Sequence, residues 1–160
     1  MFNIALFEPE IPPNTGNIIR LCANCGANLH LIHPLGFTLE EKQLRRARLD
    51  YSDFTSTVEH DNYDALTSAL DINQDGRRIF ACSTKGKQAY HEQSYRVGDS
   101  FLFGPETRGL PNQILEQLPT ENIIRIPMLP NNRSINLANA VSIIVYEAWR
   151  QTGFSGITND

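Results

Sequence analysis

The feature that most constrains this chain is an alternation. Short apolar runs rich in β-branched and aromatic residues are each followed by a segment with helical spacing. Phe2–Phe7, Asn28–Ile32, Ser56–Glu59, Arg78–Ser83, Ser100–Phe103 and Ile123–Ile126 read as the strands. Most carry too few polar residues to face water on one side. Parallel strands covered by helices on both faces satisfy that pattern. The predicted fold class is therefore α/β, a mostly parallel sheet with helices on both faces.

Prolines, glycines and capping residues punctuate the strands. Glu8–Pro13 reads as a rigid loop, since proline fixes φ and cannot extend a ladder. Asn14-Thr15-Gly16-Asn17 then opens a helix that Gly26 ends. Thr38 is placed to cap a helix through Leu39–Ala47, and Asp61 one over Tyr63–Leu70. Asn73–Gly76 reads as a turn and Lys85–Arg96 as polar and irregular. Pro111 suits the first turn of a helix over Asn112–Leu118. The last helix follows Ser134-Ile135-Asn136, and either Ser134 or Asn136 can cap it. Leu137, Val141, Ile144, Val145 and Ala148 form its apolar stripe, with Ala140, Ile143 and Trp149 on its sides. So apolar a helix expects burial against more than one neighbour. The tail from Gly153 to Asp160 is expected to be loose.

The 160 residues predict one domain, 1–160, large enough for a real core. With 41% hydrophobic and 20% charged residues the chain reads as soluble and globular. No apolar run approaches the ~20 residues of a membrane span. Met1-Phe2-Asn3-Ile4 does not resemble a signal peptide, and three cysteines suit a reducing, cytoplasmic setting. A net charge of −4 argues against general charge-driven nucleic-acid binding. It leaves room for a local patch at Lys42, Arg45, Arg46 and Arg48, which fits both a solvated helix face and an RNA contact.

In a parallel sheet, ligands gather at the carboxyl ends of the strands. Four segments there carry unusual residues: Asn14–Arg20, Ser83–Gly86, Gly104–Gly109 and Pro127–Asn136. Each glycine at 16, 86, 104 and 109 could mark an ordinary turn, and Glu106 and Arg108 could form an ion pair that stiffens their loop. Together the four point to one site. Cys22 and Cys25 followed by His30 and His33 are rejected as metal ligands, since no second Cys pair supports them and the histidines fall at odd strand spacing. No metal is expected. No glycine fingerprint for a dinucleotide, no phosphate-cradling Walker loop and no nucleophile elbow at Ser134 occurs.

Three of these segments, taken together, resemble the motifs of the SPOUT superfamily of RNA methyltransferases. The first is Asn14-x-Gly16-x-x-x-Arg20, the second Phe103–Leu110, the third Ile126–Met128 with Ser134–Leu137. Similarity extends over EPEIPPNTGNIIRLCAN, LRRARLDY and VYEAWRQ, nearly the whole chain. It is strongest toward the small SpoU-type enzymes that methylate a tRNA wobble cytidine or uridine on its ribose 2′-hydroxyl. The resemblance implies an α/β fold with a C-terminal trefoil knot, which pattern reading would not propose, since chains rarely thread their own loops. It implies a homodimer whose site uses both subunits, S-adenosylmethionine as cofactor and the tRNA anticodon arm as partner. Matching positions for cofactor contact are Cys82, Gly104, Ile126 and Ser134, largely through backbone groups. Arg20 is implied as the activating residue, with Asn14, Glu106, Ser134 and Asn136 shaping the site. Arg133 joins Arg45, Arg46 and Arg48 as an expected RNA contact. The alternatives are a knotted RNA-binding protein without activity, a 2′-O-methyltransferase for another tRNA or rRNA nucleotide, and an unrelated small-nucleotide enzyme.

Overall fold

The computed structural model describes residues 1–38, 57–72, 74, 76–132 and 134–156. The expected helix over Leu39–Ala47, the basic residues Lys42, Arg45, Arg46 and Arg48, and Arg133 lie outside the described residues.

Among the described residues seven strands form one sheet: β1 (Asn3–Phe7), β2 (Asn28–Ile32), β3 (Thr57–His60), β4 (Ile79–Cys82), β5 (Gln88–Ala89), β6 (Ser100–Phe103) and β7 (Ile123–Arg125). Their order is β3-β2-β1-β6-β4-β7-β5, and every pair is parallel. The helices are α1 (Pro12–Cys25), α2 (Tyr63–Ala69), α3 (Asn112–Leu115) and α4 (Leu137–Gln151).

The pleat sorts the strand residues into two cores. Ile4, Leu6, Phe80, Phe101, Phe103 and Ile124 face α1 and α4. Ala5, Phe7, Ile79, Ala81 and Leu102 face α2 and α3. This is the doubly covered sheet that the apolar runs predict. The α4 stripe of Leu137, Val141, Ile144, Val145 and Ala148 is wholly buried. At roughly 1.5–3 kcal/mol for each large apolar side chain buried, this face rather than intrinsic propensity holds α4 in place.

Several boundaries differ from the sequence reading, each for a local reason. Pro12 and Pro13 belong to α1 rather than to a loop before it, because first-turn residues need no N–H donor. Gly16 is therefore a buried helical residue and not a turn. Gly26 ends α1 as expected, at φ 66° with its N–H on the Cys22 carbonyl. Asn62 rather than Asp61 caps α2, its Oδ1 accepting from the Ala65 N–H at 2.9 Å. Pro111 precedes α3, which stops at Leu115. The stretch Lys85–Arg96 is not irregular throughout: Gln88–Ala89 pairs with β7, and Tyr90–Glu92 forms a 3₁₀ turn. Of the tail after Gly153, only residues up to 156 are described. The Phe154 N–H donates to the Trp149 carbonyl at 2.9 Å, and the two rings pack edge to face.

Candidate active site

Because all strands run parallel, the loops after β1, β4, β6 and β7 emerge on one edge. They surround a cavity of about 560 Å³ lined by Ile11, Asn14, Cys82–Lys85, Phe103–Leu110, Ile126, Met128, Ser134–Leu137 and Ala140. The sequence-derived candidates Asn14, Cys82, Gly104, Glu106, Ile126, Ser134 and Asn136 all meet here. Arg20 does not line it. It stands six residues beyond Asn14 on α1, more than one and a half turns away, and is exposed.

A chain of hydrogen bonds fixes the polar wall. Asn136 caps α4, its Oδ1 accepting from the Ala138 N–H at 2.9 Å and the Asn139 N–H at 3.3 Å. Its amide nitrogen must then face outward, and Nδ2 donates to Asn14 Oδ1 at 2.9 Å. Asn14 Nδ2 in turn donates to Glu106 Oε1 at 3.0 Å. The helix N–H groups thus set both amide orientations, and the chain ends on a carboxylate. Glu106 also accepts from the Glu10 N–H at 2.8 Å and the Ile11 N–H at 3.2 Å. Of the two possible caps of α4, Asn136 takes the role and Ser134 does not.

A second carboxylate reaches the opposite way. Glu10 Oε2 accepts from the Thr107 N–H at 3.1 Å and from Thr107 Oγ1 at 2.7 Å. The Thr107 hydroxyl, helped by its N–H and by Arg108, holds the Glu10 carboxyl below the usual carboxylate range. Arg108 pairs with Glu8 and, at 3.8 Å, with Glu10. The expected Glu106–Arg108 pair is therefore not the one formed. Glu106 is saturated by backbone and amide donors, and Arg108 turns to the β1 loop instead. Sequence reading missed Glu8, Glu10 and Thr107 because their partners lie about a hundred residues away. The only local signal is two carboxylates flanking Pro9 in a loop with little else to solvate them.

Two glycines set the backbone walls. A Cβ on Gly104 would lie 2.3 Å from the Leu110 nitrogen, and one on Gly86 would lie 2.7 Å from the Ile123 oxygen. Both are close approaches that only glycine permits. Gly109, at φ 68°, completes the fold-back after β6. Cys82 lines the cavity, but burial pushes its thiol up to about 12, so it presents a neutral wall and not a nucleophile. Lys85 Nζ donates to Asn112 Oδ1 at 2.6 Å across the rim.

The remaining candidates do not join the site. Cys22 is buried, and the Cys25 thiol donates to the Cys22 carbonyl at 3.8 Å. His30 stacks on His60 with Nδ1 and Nε2 2.9 Å apart, while His33 bonds Glu59 at 2.6 Å. Among the described residues no group of three His, Cys, Asp or Glu side chains could hold a metal, and no helix is long and apolar enough to cross a membrane.

The comparisons with known proteins agree with one another. The model of the SpoU rRNA methylase family matches residues 1–146. A tRNA (cytidine(34)-2′-O)-methyltransferase of Saccharophagus degradans is 61% identical, covering 98% of this chain and 99% of its own. A structure solved to study 2′-OH methylation of C/U34 on tRNA is 44% identical, with a TM-score of 0.87 over 96% of this chain and 97% of its own. An AdoMet-bound rRNA methyltransferase from Sinorhizobium meliloti is 25% identical, with a TM-score of 0.79 over 93% of this chain and 56% of its own.

Proposed function

We infer that this chain, which belongs to the SpoU rRNA methylase family, is an S-adenosylmethionine-dependent methyltransferase that methylates the ribose 2′-hydroxyl of the wobble cytidine or uridine in tRNA. The observation that carries the reading is the laced cavity. All three motif segments contribute to it, and Asn136, Asn14 and Glu106 form one oriented chain along its wall. The cavity fits the cofactor: tight glycine backbones at 86 and 104, mixed polar and apolar walls, and room for a folded molecule of that size. Cys82, Gly104, Ile126 and Ser134 are the proposed holding positions.

When bound, S-adenosylmethionine would supply a sulfonium methyl for in-line transfer to the 2′-oxygen, leaving as the neutral thioether S-adenosylhomocysteine while the hydroxyl proton passes to water. The protein's task is to make that hydroxyl nucleophilic. Arg20 is the proposed activating residue. An arginine stays protonated in proteins, so it acts by steadying the developing alkoxide and holding a neighbouring phosphate rather than by removing the proton. Asn14, Glu106, Ser134 and Asn136 fix the ribose in place.

Three finer proposals accompany this. The chain is one domain whose C-terminal part is knotted. In support, Cys82 and Gln88 both pair opposite Ile124, so residues 83–87 must arch over β7 to join strands on its two sides. Ser83 N–H bonds the Ile124 carbonyl at 2.9 Å beneath that arch. The active form is a homodimer, since Arg20 stands outside its own chain's cavity and fits a site completed by a second copy. Its compartment is the cytoplasm, where tRNA is processed. Mass mapping of tRNA after incubation with S-adenosylmethionine tests the activity. A methyl on the ribose of nucleotide 34 is expected, and its absence there overturns the reading. Sedimentation of the active species as a monomer would overturn the dimer.

A further inference from the structure

We infer that Glu10 is a positioning residue for methyl transfer, acting through Thr107 and Glu106 to hold Asn14 in its working orientation. The inference rests on the function proposed above. Its basis is the reciprocal arrangement of two carboxylates between neighbouring loops. β1 and β6 are adjacent and in register, Leu6 opposite Phe103, so their following loops leave the sheet side by side. Glu106, on the second loop, accepts from the backbone at Glu10 and Ile11 on the first. Glu10, on the first loop, accepts from the backbone and hydroxyl of Thr107, the next residue after Glu106.

Each carboxylate therefore fixes the backbone that carries the other. Neither loop can shift without breaking charge-assisted hydrogen bonds on both sides, and such bonds are the stronger kind. Among the described residues the side chain that donates to Glu106 in this exchange is Asn14, at 3.0 Å. Asn14 in turn accepts from Asn136, whose own orientation α4 dictates. The amide of Asn14 is thus held from one side by a helix terminus and from the other by the double latch. Glu10 does not line the cavity, so it serves the reaction only through this lacing. Misplacement of a reacting group by about 1 Å can cost on the order of a hundredfold in rate, so the latch has leverage on turnover without touching cofactor.

The test compares Glu10→Ala, Glu10→Gln and Thr107→Val by kcat, by KM for tRNA and by direct titration of S-adenosylmethionine. Glu10→Ala should lower kcat about tenfold or more, as expected for losing a hydrogen bond to a charged group. Cofactor affinity should stay within about threefold of the parent, a smaller change than one such bond. Glu10→Gln should restore most turnover, because an amide oxygen accepts the same two bonds. Thr107→Val should fall between, keeping the N–H and losing the hydroxyl. Adding Glu10→Ala to Glu106→Gln should cost little further, since Glu10 acts through Glu106. The inference is overturned if Glu10→Ala turns over normally, if Glu10→Gln is as damaged as Glu10→Ala, or if the two losses multiply. If Glu10→Ala does not fold, Thr107→Val decides alone: unchanged kcat overturns the inference, and a drop at constant cofactor affinity supports it. A parent enzyme inactive on tRNA would instead sink the functional reading, and this inference with it.

Discussion

At the scale of single residues, the cavity wall is decided by donors and acceptors that can face only one way. Asn14 is buried at 7% exposure with both ends of its amide engaged, so it cannot flip without leaving a buried polar group unpaired. Arg20 differs in kind, since it lies outside the wall and is exposed. Arg20→Ala should abolish methyl transfer while S-adenosylmethionine binding and thermal stability stay close to the parent. Single-turnover assays beside a cofactor titration check this, and near-normal turnover would remove Arg20 from the mechanism. The sequence displayed Asn14, Glu106 and Asn136 as candidates through their motifs. It could not display Glu10, because only the adjacency of β1 and β6 brings a residue of the first loop to Thr107.

At the scale of elements, Asn136 carries two jobs that substitution can separate. Its Oδ1 caps α4, and its Nδ2 orients Asn14. Asn136→Asp keeps a good cap but removes the donor to Asn14, so turnover should fall while the stability loss stays smaller than that of Asn136→Ala. Asn136→Ala loses both and should also cost about 1 kcal/mol of stability. Chemical denaturation read beside kcat distinguishes the two, and equal stability losses in both variants would contradict the division.

The β2–β3 edge makes a separate statement about pH. Burial, helped by the neighbouring His60, lowers His30 to about 4 from an ordinary 6.5, and His60 is lowered by burial too. Between those values the unfolded chain binds a proton that the folded chain refuses. Folding stability should therefore be full above pH 6.5 and fall as pH drops toward 4, by about 3 kcal/mol for His30. Urea titrations at pH 7.5 and 4.5 measure it. A His30→Phe variant should lose most of the slope over that window, and an unchanged slope would place the proton uptake elsewhere.

At the scale of the whole molecule, the question is how a chain of net charge −4 holds a polyanion. The proposed answer is local basic surface, shared between the two copies of the proposed homodimer. Arg45, Arg46 and Arg48 remain the proposed patch on sequence grounds, with Arg133 beside the third motif. Replacing Arg45 and Arg46 by glutamate should weaken tRNA binding strongly and leave cofactor affinity unchanged. The salt slope should shrink by roughly 0.7–0.9 for each phosphate no longer neutralised. Filter binding across a salt series checks this, and unchanged affinity at every salt concentration would leave these arginines without a part in tRNA binding.

By itself, the sequence determined every strand of the sheet but Gln88–Ala89, that the sheet is mostly parallel and covered on both faces, and where along the chain most of the candidates that line the cavity stand. Those properties follow from local apolar patterning and from motifs whose members are close in sequence, such as Ser134-Ile135-Asn136. Tertiary structure alone decided which loops become neighbours. The order β1-β6-β4-β7 brings Glu10 to Thr107 and Glu106, turns Arg108 away from Glu106 toward Glu8, and slips β7 beneath the arch from Cys82 to Gln88. Hydrogen bonds between groups some ninety to a hundred and twenty residues apart leave no period in a sequence. They exist only once the sheet has set the strands side by side.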